Sequence, residues 1–477
     1  MGVEAEHPEY ARWLPRWRRC ADFIEGEDAV KDAGPAYLPR LDGQSANAYR
    51  GYLDRAGFFN GTGSAVQQML GAAFRKDPVI DLARFRPPKG RAFVGDTDLA
   101  GTPLVAFAED VVREQISKGR VGLLVDYSNG AGRAFIARYT AEAVVNWATA
   151  RLGGDDVVTL VVLVDHPRLE TTDGGFTFRE RRRRRVLRLD LDPDTGARVY
   201  GVEVWEEGDK TNHATKSRWF VAEPRDVPRI RGRALDYIPF WFVGATSLSP
   251  DIEKPPILDL VNVNWHHYLL SADHDHGLHW VSLPTPWVSM GAPPAEDGDR
   301  DLYIGSSTAW ELPPGSQVGM LEVSGRGFGA QMARLQQVEQ HMQALGAGML
   351  KDKAGVEAAA TARLRAAART VTISDIVGTA ELALNQAIEL AMDWMNLPPS
   401  VDGTLAITLN RDFADAVPTI AEVAEARAAY AAGHLPWQDL VAVYQRAGMV
   451  DTDTTAEDLR ARIVRDLRTR APASVAA

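Results

Sequence analysis

The 477-residue chain reads as an α+β protein built from modules in series, and three changes of texture predict this. Helical periodicity dominates the first 120 or so residues. Strand-like alternation takes over from about 130 to 245. After 250, two helical stretches bracket a short strand-like module and lead into a very long helical run and a helical tail.

The elements follow in order. Short helices and turns fill the first 80 residues, where "SAVQQMLGAAF" sets Val66, Met69, Leu70 and Phe74 on one stripe. In "GTPLVAFAEDVVREQISKGR" Leu104, Phe107, Val111 and Ile116 recur at helical spacing and Gly119 supplies the stop. "RVGLLVDY" is a compact apolar strand. "DVVTLVVLVD", "GFTFRERRRRRVLRLDLD", "ARVYGVEVWEE" and "SRWFVAE" are strands of an antiparallel sheet, two of them joined by the turn residues Asp192-Pro193-Asp194-Thr195-Gly196.

Past residue 250, "KPPILDLVNVNWHHYLLSADHDHG" opens on prolines and carries Ile257, Val261, Trp265, Tyr268 and Ala272 along one helical face, with Gly277 expected to end it. "LHWVSLPTPWVSMG" is extended, and "LYIGSSTAWELPPGSQVGMLEVSG" reads as strand–turn–strand. "RGFGAQMARLQQVEQHMQALGAG" aligns Met332, Leu335, Val338, Met342 and Leu345 on a second helix. "MLKDKAGVEAAA" begins as a loop and feeds a helix reaching Asn396, roughly 60 Å long if unbroken. The β-branched stretch "RTVTISDIVG" is where a bend or break is expected. "GTLAITLN" is a strand. Three short helices close the chain, two with capping boxes at Thr419/Glu422 and Thr454/Glu457.

Composition restricts the function. The net charge is −11, from 64 acidic and 53 basic residues, whereas a dedicated duplex binder shows a basic balance. The single cysteine, Cys20, permits no internal disulfide and fits a reducing compartment. "MGVEAEHPEY" lacks a charged-then-apolar leader pattern, and the apolar run "VVTLVVLV" is too short to cross a bilayer, so no membrane role is expected.

Against that acidic background, "FRERRRRRVLRLDLDPDTGARVY" places seven arginines between Arg179 and Arg188. On a strand, Arg181, Arg183 and Arg185 continue into Leu187, Leu189 and Leu191, so one face passes from charged to buried. Arginine also blunts exposed strand edges. The run is expected to be a solvated or interface strand, with contact to a polyanion as the alternative.

Motifs for catalysis are sparse. No phosphate-cradling G-x-x-x-x-G-K-[ST], no G-x-S-x-G and no H-E-x-x-H occurs, and the glycines of "SGRGFGAQM" lack the spacing and context of a dinucleotide loop. "HHYLLSADHDHGLH" offers His266, His267, His274, His276 and His279 with Asp273 and Asp275, the donor types of a divalent metal. Their spacing argues against one: His274 and His276 diverge on a helix, and His267 and His274 stand two turns apart. No cofactor, no metal and no enzymatic activity is expected.

In order and texture the chain resembles the portal proteins of tailed bacteriophages, in particular a divergent portal-like branch. The stretches that carry the resemblance are "YLPRLDGQSANAYRGYLDRAGFFNGTG", "GRVGLLVDY", "IPFWFVGA", "LLSADHDHGLHWVSLPTPWV", "YIGSSTAWELPPGSQVGMLEVSG" and "MQALGAGML". It implies the elongated portal fold assembling as a ring, usually of twelve subunits, at one capsid vertex of the virion, with assembly in the host cytoplasm. DNA would pass through during packaging and ejection.

The parts then fall in order: wing 1–255, first stem helix 256–279, clip 280–324, second stem helix 325–345, tunnel loop 346–358, long helix and returning wing strand 359–412, and helical crown 413–477. The implied partners are further copies of the chain, double-stranded DNA held without sequence preference, terminase, a head–tail adaptor and the major capsid protein. Twelve chains at −11 each total −132, which would keep DNA centred rather than bound. Lys351 and Lys353 in the loop, then Arg363, Arg365 and Arg369, are the residues expected nearest DNA. The arginine run falls in the wing and is expected to face a neighbouring subunit or the capsid. Two rival readings are a metal-dependent nucleic-acid-processing enzyme using residues 266–279 and another head–tail connector component.

Overall fold

A computed structural model describes residues 2–152, 154–172, 176–212, 217–282, 285–289, 312, 314–321, 327–342, 345, 359–398, 404–411, 420–451 and 454–470. It divides into two compact units, Met1–Glu357 with Asp375–Leu409, and Ala358–Ser374 with Asn410–Ala477.

The first unit opens with α1 (Pro8–Glu25), α2 (Glu27–Asp32), α3 (Ala46–Arg55), α4 (Gly61–Ala73), β1 (Val79–Ile80), α5 (Pro88–Gly95) and α6 (Leu104–Lys118). Leu104, Phe107, Val111 and Ile116 are all buried, and the chain leaves α6 through Gly119 in the left-handed conformation at φ 69°. That glycine stops the helix, and it sits where a Cβ would meet the backbone of Glu253, Lys254 and Pro255 at 3.1 Å. α1 packs on α6 through the buried Trp17, whose Nε1 donates to the Lys118 carbonyl at 3.1 Å. Cys20 is buried on the same helix, and burial pushes its thiol up to about 12, a position suited to packing rather than chemistry.

Two antiparallel sheets follow. β2 (Arg120–Ser128) pairs with β3 (Arg133–Thr140) and with β11 (Phe240–Gly244). The larger sheet runs in the order β4 (Val144–Leu152), β5 (Asp155–Thr172), β6 (Thr177–Leu191), β7 (Arg198–Asn212), β8 (Ser217–Asp226). Each of the four expected strands is present, hairpin to hairpin. In β5 the pairing slips between Asp165 and Arg168, a bulge that accommodates Pro167, which has no amide to give an interior ladder. β9 (Arg229–Ile230) and β10 (Arg233–Ala234) form a small ribbon.

The rest of this unit comprises α7 (Leu258–Val281), β12 (Thr285–Ser289), β13 (Gln317–Leu321), α8 (Phe328–Met342), the second half of α9 (Ala359–Trp394) and β14 (Ile407–Thr408). β14 pairs antiparallel with β1, Val79 opposite Thr408. Asn385 on α9 fixes this strand: its Oδ1 accepts from the Ala406 and Ile407 amides at 2.8 and 3.1 Å, and its Nδ2 donates to the Ile407 carbonyl at 2.8 Å.

In the second unit α10 (Ile420–Ala431), α11 (Trp437–Arg446) and α12 (Ala456–Arg470) follow one another, with Trp437 against Tyr430 at 5.6 Å and its Nε1 donating to the Ala456 carbonyl at 2.9 Å.

Three expectations are corrected. α9 is helical through residues 369–378, because β-branched residues lower helix propensity by only tenths of a kcal/mol and alanines flank the stretch. The capping box of α12 lies one residue later, with the Asp458 amide donating to Thr455 Oγ1 at 3.1 Å and that hydroxyl donating to Asp458 Oδ2 at 2.7 Å. α7 continues through Gly277 to Val281. β13 pairs with β12, Trp287 opposite Gly319, while the first strand of the strand–turn–strand unit expected over 302–325 lies outside the described residues. The box at Thr419/Glu422 has its capping residue outside the described residues.

Candidate functional site

α7 and α8, with the β12–β13 pair between them in sequence, form the segment to which the sequence pointed. Its inner helix is clamped by the N-terminal helices. Asn264 is fully buried: its Oδ1 accepts from the Thr62 amide at 3.0 Å and hydroxyl at 2.9 Å, and its Nδ2 donates to the Phe59 carbonyl at 3.0 Å. Trp265 donates to the Tyr37 carbonyl at 2.8 Å, under the Arg19 guanidinium at 5.0 Å. Ile257, Val261, Tyr268 and Ala272 are buried as expected.

The His/Asp stretch is distributed among separate partners. Asp273 Oδ1 accepts from the Tyr52 hydroxyl at 2.6 Å, and Asp275 Oδ2 accepts from the Gly57 amide at 3.0 Å. His276 Nδ1 lies 3.5 Å from Arg55, and its Nε2 accepts from Trp280 at 3.1 Å. Burial and then Arg55 hold the His276 imidazole below its ordinary value, while burial and Asp273 push the Tyr52 phenol up. Among the described residues no three His, Cys, Asp or Glu side chains gather to hold a metal.

The two remaining buried histidines face α8. His274 meets Gln331 at 3.3 Å and the Phe328 ring edge-on at 5.5 Å. His267 stands 3.6 Å from Glu339, and burial outweighs that carboxylate to hold the imidazole below its ordinary value. Leu335, Val338 and Met342 are buried, but Met332 and Leu345 of the expected stripe are about half exposed, at 45% and 47%. Gly277 explains the close approach of the helices: a Cβ there would stand 2.8 Å from the Phe328 ring. The His267–His274 spacing of two turns was the sequence signal for this shared face; Glu339 and Gln331 carried no signal of their own.

Of the residues expected near DNA, Lys351 and Lys353 lie outside the described residues. Arg363, Arg365 and Arg369 lie on the helical backbone of α9, with side chains outside the described residues.

The arginine run lies in the third of the five strands, paired with β5 and, from Arg183 onward, with β7 as well, so Arg183 to Arg188 do not blunt an edge. The guanidiniums of Arg181 to Arg185 are engaged within the chain. Arg181 meets Glu170 at 2.7 Å, Arg182 meets both oxygens of Glu207 at 2.7 and 2.9 Å, and Arg183 pairs with Glu223. Arg184 donates to the Val3 carbonyl at 2.5 Å, beside the Trp219 ring. Arg185 meets Asp126 at 2.7 Å and Asp165 at 3.4 Å. The expected passage from charge to core along β6 is present, ending at buried Leu187 and Leu189; Leu191 is exposed.

No helix among the described residues is long and apolar enough to cross a membrane. No curated protein matches the chain. The family model of a domain of unknown function, DUF4055, matches residues 256–395, from the start of α7 to the end of α9. Among solved structures, the chain is similar to one in the virion of a native gene transfer agent particle, at 13% identity and a TM-score of 0.39, over 87% of this chain and 98% of that one. It is similar also to chains in the neck of the empty particle computed with C6 symmetry (14%, 0.40, 82% and 92%) and in the neck of the native particle computed with C12 symmetry (12%, 0.39, 87% and 98%).

Proposed function

We propose that the chain is a portal protein of a tailed bacteriophage or phage-like particle. In this reading many copies close into a ring at one vertex, and the lumen conducts duplex DNA during packaging and ejection. The observation that carries the reading is the order helix, paired strands, helix, long helix in α7, β12–β13, α8 and α9, in the residues whose sequence resembles portals.

The electrostatics support a conduit rather than a grip. A channel must not hold what it conducts, and each lasting phosphate contact adds salt-dependent affinity. The chain carries −11, and Arg181 to Arg185 are already engaged within their own chain. Lys351, Lys353, Arg363, Arg365 and Arg369 remain the residues proposed to meet DNA transiently. Terminase and a head–tail adaptor would dock on 280–324, and the major capsid protein would surround the wing.

The test is the assembly state of the purified protein. Light scattering should give about a dozen times the 52.2 kDa of one chain, and negative-stain images should show rings with a central hole. A monodisperse monomer at high concentration would overturn the reading.

A further inference from the structure

The N-terminal residues strap the larger sheet, held by β6 and by the edge strand β4. The Val3 carbonyl accepts from Arg184, the Ala5 carbonyl accepts from Asn146 Nδ2 at 3.1 Å, and the His7 amide donates to the Val145 carbonyl at 2.9 Å. The His7 ring lies flat on the Trp147 indole, centroids 3.9 Å apart at 18°. The guanidinium of Arg120 also lies over the indole, 4.0 Å from the ring centroid and 4.6 Å from that of Phe242. Arg120 is 1% exposed, and none of its three guanidinium nitrogens has a hydrogen-bond partner among the described residues.

His7 also caps α1. Its Nδ1 accepts from the Glu9 amide at 3.2 Å, which requires that nitrogen to be unprotonated. Protonation would therefore remove the cap, put a positive charge at the positive end of the helix dipole, and set a second cation on the indole that Arg120 already covers. Glu9 from α1 favours protonation and Arg120 from β2 opposes it; β4 contributes the neutral Trp147. The balance holds the imidazole below its ordinary value, burial first and Arg120 second.

We infer that His7 is a protonation-sensitive latch: neutral, it holds residues 2–7 against the sheet at β4 and β6 and caps α1, and on protonation it frees the strap and the first turn of the helix. This stands apart from the ring reading and does not depend on it.

Hydrogen–deuterium exchange of the full chain between pH 8 and 5 tests it. The protection factors of the His7, Glu9 and Ala11 amides are expected to fall as pH drops below 6.5, by up to about tenfold per pH unit. His7→Asn keeps a capping acceptor but does not titrate in this range, so its profile should be flat. Arg120→Met, lacking the opposing cation, should move the midpoint upward. A flat wild-type profile, or one that His7→Asn reproduces, overturns the proposal whatever Arg120→Met does.

Discussion

His267 on α7 places its Nε2 3.6 Å from Oε1 of Glu339 on α8, too far for a hydrogen bond and near enough for their charges to interact. Glu339 and His266 are the charged or titratable groups that act on it; burial, the largest influence, lowers its pKa together with the His266 imidazole and outweighs the carboxylate, which raises it. A base whose pKa is lower folded than unfolded supports the fold above 6.5 and withdraws that support as pH falls toward the folded value. Stability should therefore decline from pH 7 to 5, with His267 contributing at most about 1.4 kcal/mol per pH unit. Thermal melts across this range should show His267→Leu losing one proton's share of the decline. Glu339→Gln, lacking the group that raises the pKa, should extend the decline to lower pH.

The contact of Gly277 with Phe328 gives a second test. Alanine in place of an interior helical glycine ordinarily adds about 1 kcal/mol of stability. Here a Cβ would meet the Phe328 ring at 2.8 Å, so Gly277→Ala should gain little or nothing alone. In a Phe328→Ala background the gain should reappear. A double-mutant cycle by urea denaturation should give a coupling of about 1 kcal/mol; no coupling would mean that the helices do not meet there.

Arginines in one run should differ sharply in worth. Arg182 is 72% exposed with its partner Glu207 on the next strand, so Arg182→Ala should cost less than about 1 kcal/mol. Arg185 is 23% exposed and faces two shielded carboxylates, Asp126 and Asp165. Burial raises the Asp126 pKa, and Arg185 is the main group holding it down. Arg185→Ala leaves both carboxylates without that cation and should cost about 3 kcal/mol. Neither variant should change duplex affinity at 50 or 200 mM salt, measured by fluorescence anisotropy.

These contrasts mark where sequence reading works. Local periodicity located α6, its Gly119 stop, and all four long strands of the larger sheet, since each signal is written within a few residues. It could not find the partners of the arginines: Asp126 lies 59 residues from Arg185, and Glu223 lies 40 from Arg183. Gly277 failed as a helix stop for the same reason. A glycine that ends a helix and one that admits a neighbouring ring look alike until the neighbour, Phe328, is in place. The buried faces of α7 were legible from Ile257 to Ala272, whereas the exposure of Met332 depends on what packs against α8, which its own spacing does not encode.

The hold of Asn385 on β14 is the sharpest stability test. Asn385 is 6% exposed and replaces a missing strand neighbour, satisfying two amides and a carbonyl of residues 406 and 407. The adjacent Glu381 accepts from the Leu409 amide at 2.7 Å, so two side chains of α9 hold one strand. Asn385→Leu would keep the volume and lose all three bonds, leaving buried backbone groups unpaired at about 1–3 kcal/mol each. A total loss of about 3–5 kcal/mol is expected, with exchange at the Ala406 and Ile407 amides rising by orders of magnitude. The β1–β14 pair, only two residues per strand, should open with it, and the amide of Asp81, which donates to the Ala406 carbonyl at 3.0 Å, should lose protection in parallel. If Asp81 stays protected while Ala406 exchanges freely, the strand is held by its partner β1 rather than by the helix.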